Sequence, residues 1–149
     1  MSDVAIEVRQ AKADDVEQLC PLVQDFATSF RPERSAFDRA FTELVNRSDT
    51  LVLVAVTDGT VIVGYLLGSY HGTFFANGPV AWIEELMVAE HVRHRGVASA
   101  LASSAEAWAT SIPCAYVALA SRRASGFYLR HGYEDSATFL RKVLTTPEG

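Results

Sequence analysis

Cysteine is scarce in this sequence of 149 residues, which contains only Cys20 and Cys114. The two lie far apart and form no C-x-x-C pair, so neither a disulfide framework nor a zinc ribbon is indicated. A reducing compartment is the simpler interpretation, and we therefore expect a cytoplasmic protein.

Long hydrophobic runs are also missing. The longest candidates, 51–56 and 61–67, have the length of β-strands and fall far short of the roughly 18–20 apolar residues that span a bilayer. The N-terminus alternates charged and apolar residues from Asp3 to Arg9, which provides no apolar stretch for a signal peptide. We expect no association with a membrane.

The chain has no excess of positive charge, since 13 Lys and Arg oppose 18 Asp and Glu for a formal net charge of −5. This balance argues against a broad nucleic-acid or anionic-membrane surface, although a local basic cluster can still bind phosphate. The four histidines form no H-x-x-x-H or H-E-x-x-H array, so no metal site is predicted.

What the sequence does contain is enough apolar material for a core. Hydrophobic residues make up 49% of the chain, and its length lies within the range of about 100–200 residues that is usual for one domain. A chain of this size can bury a core without disulfides or a structural metal. We therefore expect residues 1–149 to form a single domain.

Hydrophobic periodicity predicts a mixture of strands and helices. Asp14 and Glu17 have the spacing of a capping box, and residues 57–60 predict a hairpin turn. Pro21 is expected to kink the helix that follows or to end its first turn. The strand–helix–strand unit at 80–119 favours a parallel crossover, so we expect an α/β fold with a mixed sheet flanked by helices. The predicted elements are a strand at 6–9, helices at 14–30 and 35–45, strands at 51–56, 61–70 and 80–88, a helix from 96 that ends before Ile112-Pro113, a strand at 116–119, a helix at 126–131, and a strand or half of a hairpin at 133–143.

The segment Arg93-His94-Arg95-Gly96-Val97-Ala98 follows the strand predicted at 80–88 and begins a helix. Free backbone N–H groups at a helix start, together with the helix dipole, form a ready phosphate site. Gly96 lets the backbone approach a ligand, Ala98 keeps the next turn bare, and the arginines add positive charge. A diphosphate is the natural ligand, and the alternative is an exposed basic helix start that binds nothing. The sequence contains neither a P-loop pattern nor a dinucleotide-binding G-x-G-x-x-G.

Together with a later segment, this string resembles the GNAT superfamily of acyl-CoA-dependent N-acyltransferases. Residues 93–98 match the family pattern Q/R-x-x-G-x-G/A, which binds the pyrophosphate of coenzyme A, and Ala124, Phe127 and Tyr128 match the pattern N-x-x-A-x-x-F-Y. The order of predicted elements resembles the family from Ile6 to Val143. The resemblance implies a GNAT-type fold, in which a mixed, largely antiparallel sheet is flanked by helices in the order β-α-α-β-β-β-α-β-α-β.

The resemblance further implies an N-acetyltransferase that uses acetyl-CoA and no metal. The strand backbone at 86–88 would hold the pantetheine arm, residues 93–99 would wrap the pyrophosphate, and Ser121 stands where the family often has asparagine. The implied cofactor-binding residues are Leu86, Met87, Val88, Arg93, His94, Arg95, Gly96, Val97, Ala98, Ser99, Ser121 and Ala124.

An amine acceptor needs a base, because a lysine-like pKa of about 10.4 leaves the nucleophilic form about three pH units uphill at pH 7. Glu84 and Glu85 are the candidates, and we expect them to point to opposite faces of their strand. Glu84 aligns best with the acidic position of several family members, whereas Glu85 or a water-mediated route remains an alternative. Tyr128 resembles the family's tyrosine that protonates the departing thiolate, although core packing is favoured for it when the family is left aside.

The sequence defines the acceptor only as a small-molecule or peptide amine. Aromatic residues lie where the family builds its acceptor pocket, namely Phe26, Phe30, Tyr70, Phe74 and Phe75. Core packing is the favoured alternative for Phe26 and Phe30. A non-catalytic acyl-CoA-binding sensor or interaction module is the competing function. Dimerisation is common in the family, which leaves a homodimer open, and no nucleic-acid partner is expected.

Overall fold

A computed structural model of the protein describes residues 5–122 and 124–145. Short 3-10 turns at 13–15 and 90–92 precede the first and third helices. The strands and helices are, in chain order, β1 (Ile6–Gln10), α1 (Val16–Phe26), α2 (Arg34–Val45), β2 (Thr50–Thr57), β3 (Val61–His71), β4 (Val80–Val88), α3 (Val97–Ser111), β5 (Val117–Leu119) and α4 (Ser125–Arg130). The predicted α/β fold is confirmed, and the order of elements agrees with the prediction as far as α4.

The described strands form one five-stranded sheet in the order β1-β2-β3-β4-β5. The first four strands are antiparallel, and β5 joins β4 in parallel, which confirms the crossover predicted through α3. Asp58 and Gly59, between β2 and β3, both have positive φ, at 54° and 77°. Two consecutive positive φ angles are typical of a type I′ hairpin turn, so the hairpin predicted at 57–60 is confirmed.

The sheet separates two apolar cores. On one face α3 packs against the strands and buries Val97, Leu101 and Ala105. On the other face α1 and α2 cover β2 and β3, and Leu19 and Phe41 are buried there. Burying a large apolar side chain stabilises the folded protein by about 1.5–3 kcal/mol, so the helices on both faces of the sheet are held mainly by burial.

Gly64 of β3 explains how closely α3 approaches the sheet. A Cβ atom at this position would lie 3.0 Å from the carbonyl oxygen of Met87 and 3.1 Å from Cγ1 of Val97. Even an alanine would therefore require its neighbours to give way by a few tenths of an ångström. The missing side chain sets the spacing between the end of β4 and the first turn of α3.

The start of α1 differs from the predicted capping box. The capping box begins earlier, at Lys12, and the position predicted for Glu17 is taken by Asp15. Its carboxylate accepts the backbone N–H of Lys12 at 2.7 Å and two guanidinium N–H groups of Arg9 at 2.8 and 3.0 Å. Asp15 is buried, and its hydrogen bonds with Arg9 lower the pKa of its carboxyl. Because residues 13–15 form a 3-10 turn, the α-helix begins only at Val16.

The end of α1 also differs from the prediction. Pro21 lies inside the helix without ending it, and the chain becomes extended at Ala27. Phe30 therefore lies in the connection to α2, out of phase with the buried face of α1, and is 46% exposed. The expectation that Phe30 packs in the core is wrong.

The strand predicted at 133–143 is wrong. Residues 133–145 contain no strand, and every residue from 134 to 145 is exposed. Apolar residues in this segment suggested a strand, but charged residues interrupt the alternation that would bury one face. In addition, β5 is only three residues long and offers little edge for a further strand.

Candidate active site

The parallel strands β4 and β5 pair over a short distance only. Residues 81–83 of β4 lie opposite Val117–Leu119, whereas no described residue pairs with β4 on that side from Glu84 onward. On the other side β3 remains paired with β4 as far as Val88. The edge of β4 at 86–88, which the sequence predicts to hold an extended cofactor arm, is therefore open to a ligand.

Glu84 occupies a β-bulge in β4. Leu67 lies opposite Glu85 and Gly68 lies opposite Ile83, so Glu84 is the extra residue of its strand. A bulge bends the strand and redirects its side chains, and Glu84 is exposed here. The sequence could not predict this, because the bulge depends on the register between β3 and β4.

Glu85 faces the side of the sheet that α1 and α2 cover. The hydroxyl of Tyr65 donates to Oε1 of Glu85 at 2.6 Å, and Tyr65 is only 3% exposed. Burial raises the pKa of Glu85, although the hydrogen bond from Tyr65 opposes this effect. Burial and the adjacent carboxylate raise the pKa of Tyr65 far above its usual value. The hydroxyl of Tyr65 therefore keeps its proton and donates it in the hydrogen bond to Glu85.

The loop from β4 to α3 has two residues in left-handed conformation. The φ angles of His94 and Gly96 are 65° and 86°, and Gly96 is the N-cap of α3. Glycine adopts this conformation freely, and histidine adopts it less often. The Nε of Arg93 donates to the carbonyl oxygen of Val88 at 3.2 Å, which ties the loop to the end of β4. The helix start predicted near Gly96 is confirmed.

The first turn of α3 presents backbone N–H groups that no side chain caps. Open space surrounds the position where Gly96 would carry a Cβ. The side chain of Val97 is buried, so this residue offers a ligand only its backbone. Arg93 and Arg95 are exposed beside this turn. Uncapped N–H groups, the helix dipole and neighbouring guanidinium groups together favour an anion.

Ser121 and Ala124 meet at the start of α4. The Oγ of Ser121 accepts the backbone N–H of Ala124, the N-cap of α4, at 3.0 Å. A serine hydroxyl that accepts from the backbone three residues later stabilises a turn. The serine at this position therefore organises the entry into α4.

Tyr128 is partly buried in α4. Its ring centroid lies 5.0 Å from that of Phe127 and 5.5 Å from that of Tyr133, both in edge-on geometry. Burial raises the pKa of its phenol above the ordinary value. Tyr128 therefore carries its proton at neutral pH, as a proton donor must.

Two contacts between α3 and the α4 region were not predicted from the sequence. The Oγ of Ser99 lies 3.0 Å from Nε2 of His131, and the hydroxyl of Tyr133 donates to Oε2 of Glu106 at 2.8 Å. His131 was expected only to end a helix, and it is indeed the C-cap of α4. The partners are 32 and 27 residues apart, so no local pattern could have paired them.

The sequence between residues 16 and 133 matches the model of the acetyltransferase (GNAT) family. The chain belongs to this family. The matched region includes the open edge of β4, the β4–α3 loop and Tyr128. GNAT acetyltransferases use acetyl-CoA, which agrees with an open strand edge that leads to a helix start favourable to an anion.

Solved structures have the same GNAT fold. A transcriptional regulator from Bacillus halodurans C-125 has a TM-score of 0.85 and 24% identity, with 94% of this chain and 100% of that chain covered. Glucosamine-6-phosphate N-acetyltransferase from Arabidopsis thaliana has a TM-score of 0.83 and 18% identity, with 95% and 99% covered. An aminoglycoside N-acetyltransferase in complex with CoA has a TM-score of 0.77 and 21% identity, with 95% and 97% covered. No curated protein matches the sequence.

Two surface hollows lie outside the β4–α3 loop and α4 of this GNAT fold. The first, of about 490 Å³, is lined by Gln24, Thr28, Ser29, Phe30, Arg31 and Pro32. Arg141 donates to the hydroxyl of Ser29 at 2.7 Å, so the C-terminal segment reaches the rim of this hollow. The second, of about 360 Å³, is lined by Ala11, Lys12, Ala13, Val16, Asp38, Phe41, Thr42, Val45 and Asn46.

The aromatic residues considered for the acceptor pocket separate into different environments. Phe30 lines the first hollow. Tyr70 packs edge-on against Trp108 of α3 at 5.7 Å, which supports its packing role. Phe74 and Phe75 are exposed in the β3–β4 connection, where Phe75 lies 6.5 Å from Tyr116. An acceptor pocket built from all of them therefore stays a prediction.

Neither a metal site nor a membrane span is found in residues 5–122 and 124–145. Within these residues His, Cys, Asp and Glu form no group of three or more that could hold a metal ion. The helices of the same residues are too short or too polar to cross a membrane.

Proposed function

We propose that the protein is an N-acetyltransferase that transfers the acetyl group of acetyl-CoA to a primary amine by direct attack in a ternary complex. The observation that carries this proposal is the continuity between the open edge of β4 and the uncapped first turn of α3. An extended arm that contains amides fits the open edge of β4, and a diphosphate at its end fits the first turn of α3. We assign this activity to a single domain and to the cytoplasm.

The residues present fit the cofactor. Backbone N–H groups at 96–99 would hold the diphosphate, and the exposed Arg93 and Arg95 would add positive charge. The peptide groups at 86–88 would hydrogen-bond the pantetheine arm in the manner of an added strand, and a backbone N–H there would polarise the thioester carbonyl. When bound, acetyl-CoA supplies an acetyl group already activated as a thioester.

Glu84 is the proposed base. It is exposed at a bulge, where an incoming ammonium group can reach its carboxylate, and it would accept a proton from that group to leave the neutral, nucleophilic amine. Glu85 is the alternative, because burial raises its pKa toward the range in which a carboxylate is an effective base. Its hydrogen bond with Tyr65 supports a role in holding β3 and β4 instead.

Tyr128 is the proposed acid. Its phenol keeps its proton at neutral pH and would donate it to the departing sulfur when the carbon–sulfur bond breaks. A thiolate with a pKa of about 8.5, by analogy with cysteine, needs only a weak acid. Tyr128 can then regain a proton from solvent, because it is only partly buried.

The acceptor class is supported by two of the structural neighbours. Their names describe acetylation of glucosamine 6-phosphate and of aminoglycosides, both of which carry an amine on a sugar ring. We therefore propose a small amine, and an amino sugar first, as the acceptor. The exposed carboxylate of Glu84 suits its positive charge.

The test is a thiol-release assay with acetyl-CoA and a set of amines, namely glucosamine 6-phosphate, kanamycin, spermidine, lysine and a short peptide. We expect acetyl-CoA to bind in calorimetry and at least one amine to accelerate thiol release. Absence of acetyl-CoA binding would contradict the proposal entirely. Binding without release for any amine would instead favour a non-catalytic acyl-CoA-binding module.

A further inference from the structure

The short helix α4 is held to α3 by polar contacts rather than by burial. No residue of α4 is buried, and the helix has only six residues. A helix of this length is not stable alone, since isolated helices shorter than about 12–15 residues are marginal in water. The position of α4 must therefore depend on its contacts with the rest of the protein.

Two hydrogen bonds supply these contacts. Ser99 of α3 bonds His131 at 3.0 Å, and Glu106 of α3 accepts from Tyr133 at 2.8 Å. Ser99 and Glu106 are seven residues apart, close to two helical turns, so they lie on one face of α3. That face of α3 therefore hydrogen-bonds the chain at two residues just after α4.

Both hydrogen-bonding residues of the α4 region also contact the aromatic pair in α4. The ring centroid of His131 lies 4.2 Å from that of Phe127, and the ring of Tyr133 packs edge-on against Tyr128 at 5.5 Å. The backbone N–H of Tyr133 donates to the carbonyl oxygen of Tyr128 at 3.1 Å. A shift of either anchor is therefore transmitted to the phenol of Tyr128.

We propose that Ser99, Glu106, His131 and Tyr133 form a clamp that positions the hydroxyl of Tyr128 relative to the first turn of α3. The inference rests on the proposed function. Ser99 belongs to the same turn whose N–H groups would hold the diphosphate, so the clamp fixes the distance between the diphosphate site and the proton donor. The four are positioning residues, because they act through Tyr128.

The experiment compares the binding of CoA and desulfo-CoA by calorimetry, because the two ligands differ only in the sulfur that Tyr128 would meet. A neutral hydrogen bond contributes about 1 kcal/mol net, so we expect wild-type protein to prefer CoA by about fivefold. In His131→Ala and Glu106→Ala the ratio of the affinities for CoA and desulfo-CoA should fall toward one. In His131→Gln it should persist, because the side-chain amide reaches the same position as Nε2.

A matched pair of serine variants and a double variant separate positioning from stability. Ser99→Ala should lose the preference, whereas the matched control Ser103→Ala, on an exposed position of the same helix, should keep it. In a Tyr128→Phe background, His131→Ala should cause no further loss of the preference for CoA over desulfo-CoA.

An unchanged preference in His131→Ala and Glu106→Ala would overturn the inference. An equal loss of affinity for both ligands, with the preference intact, would also overturn it, since the clamp would then be only a structural brace. Wild-type protein that fails to bind CoA would contradict the proposed function and this inference together. Tyr133→Phe, which keeps the ring but loses the bond to Glu106, provides the same test if an alanine variant does not fold.

Discussion

Residues 50–111, which contain β2–β4 and α3, differ from residues 121–145, which contain α4 and the C-terminal segment, in how they are held. In the first region Val54, Leu66 and Leu101 are completely buried. In the second, none of the described residues is buried. The first region carries the proposed cofactor site, and the second carries Tyr128. The position of the proposed proton donor therefore depends on polar contacts with α3, whereas the proposed cofactor site rests on the apolar core.

Removing a buried side chain from the first region should have the largest effect. Leu101 is 0% exposed, and Leu101→Ala should lower the free energy of unfolding by about 2–5 kcal/mol, because a cavity forms under α3. Leu140, which is 85% exposed in the second region, is the matched control. Leu140→Ala should change stability by less than about 0.5 kcal/mol in urea titrations. Equal losses in both variants would remove the contrast between the regions.

The two glutamates of β4 test which carboxylate of the first region acts as the catalytic base. Glu84→Gln should lower kcat by about 10²–10³-fold in thiol release with the best amine, because general-base catalysis is lost. Glu85→Gln should lower it less, since Glu85 is bonded to Tyr65. If Glu85→Gln shows the larger loss, the base lies in the buried pair and Glu84 has another role.

Tyr128 tests the second region directly. Tyr128→Phe should lower kcat by about 100-fold while the midpoint of urea unfolding changes little, because the ring and its contacts stay in place. Tyr116→Phe, at a half-exposed tyrosine near β5, is the control and should leave kcat unchanged. A Tyr128→Phe enzyme with normal kcat would show that the thiolate leaves without this acid.

The smallest predicted effect is on the pH dependence of stability. Two carboxyl groups, those of Asp15 and Glu85, should change it in opposite directions. The pKa of Asp15 is lowered in the folded protein, so its stabilisation is present above the ordinary value and is lost as the pH falls through the lowered pKa. Asp15→Asn should cost about 1–2 kcal/mol at pH 7, and the cost should shrink as the pH falls below the ordinary value for aspartate, as urea titrations over a pH series will show.

Glu85 provides the contrast, because its pKa is raised by burial. The folded protein then holds the proton more tightly than the unfolded chain, and stability falls as the pH rises from the ordinary glutamate value through the raised pKa. Glu85→Gln should remove this decline. A decline of the same size in both proteins would exclude Glu85 as its source.

The first region was largely predictable from sequence. The hairpin at 57–60, strand β4 and the helix start at Gly96 each follow from local residue types, namely turn residues, β-branched runs and a glycine before small residues. The bulge at Glu84 was not predictable, because it is a property of the register between two strands.

The second region was predicted less well for a physical reason. Its contacts join residues far apart in sequence, such as Ser99 with His131, and no periodicity encodes such a pair. The strand predicted at 133–143 failed because an apolar pattern forms a strand only where another strand offers an edge. The start of α1 shows that local patterns are also limited at short range. The 3-10 turn at 13–15 determines that Asp15, rather than the adjacent Asp14, provides the capping carboxylate.

Gly64 gives the cofactor site a determinant that no ligand touches. A Cβ atom at this position would meet both the carbonyl oxygen of Met87, near the end of β4, and the side chain of Val97, in the first turn of α3. Met87 and Val97 lie within the two segments, 86–88 and 93–99, that are proposed to receive the amide arm and the diphosphate. Gly64→Ala would therefore push the end of β4 and the first turn of α3 apart, and the spacing between the two proposed cofactor-binding segments depends on a residue that lies in neither of them.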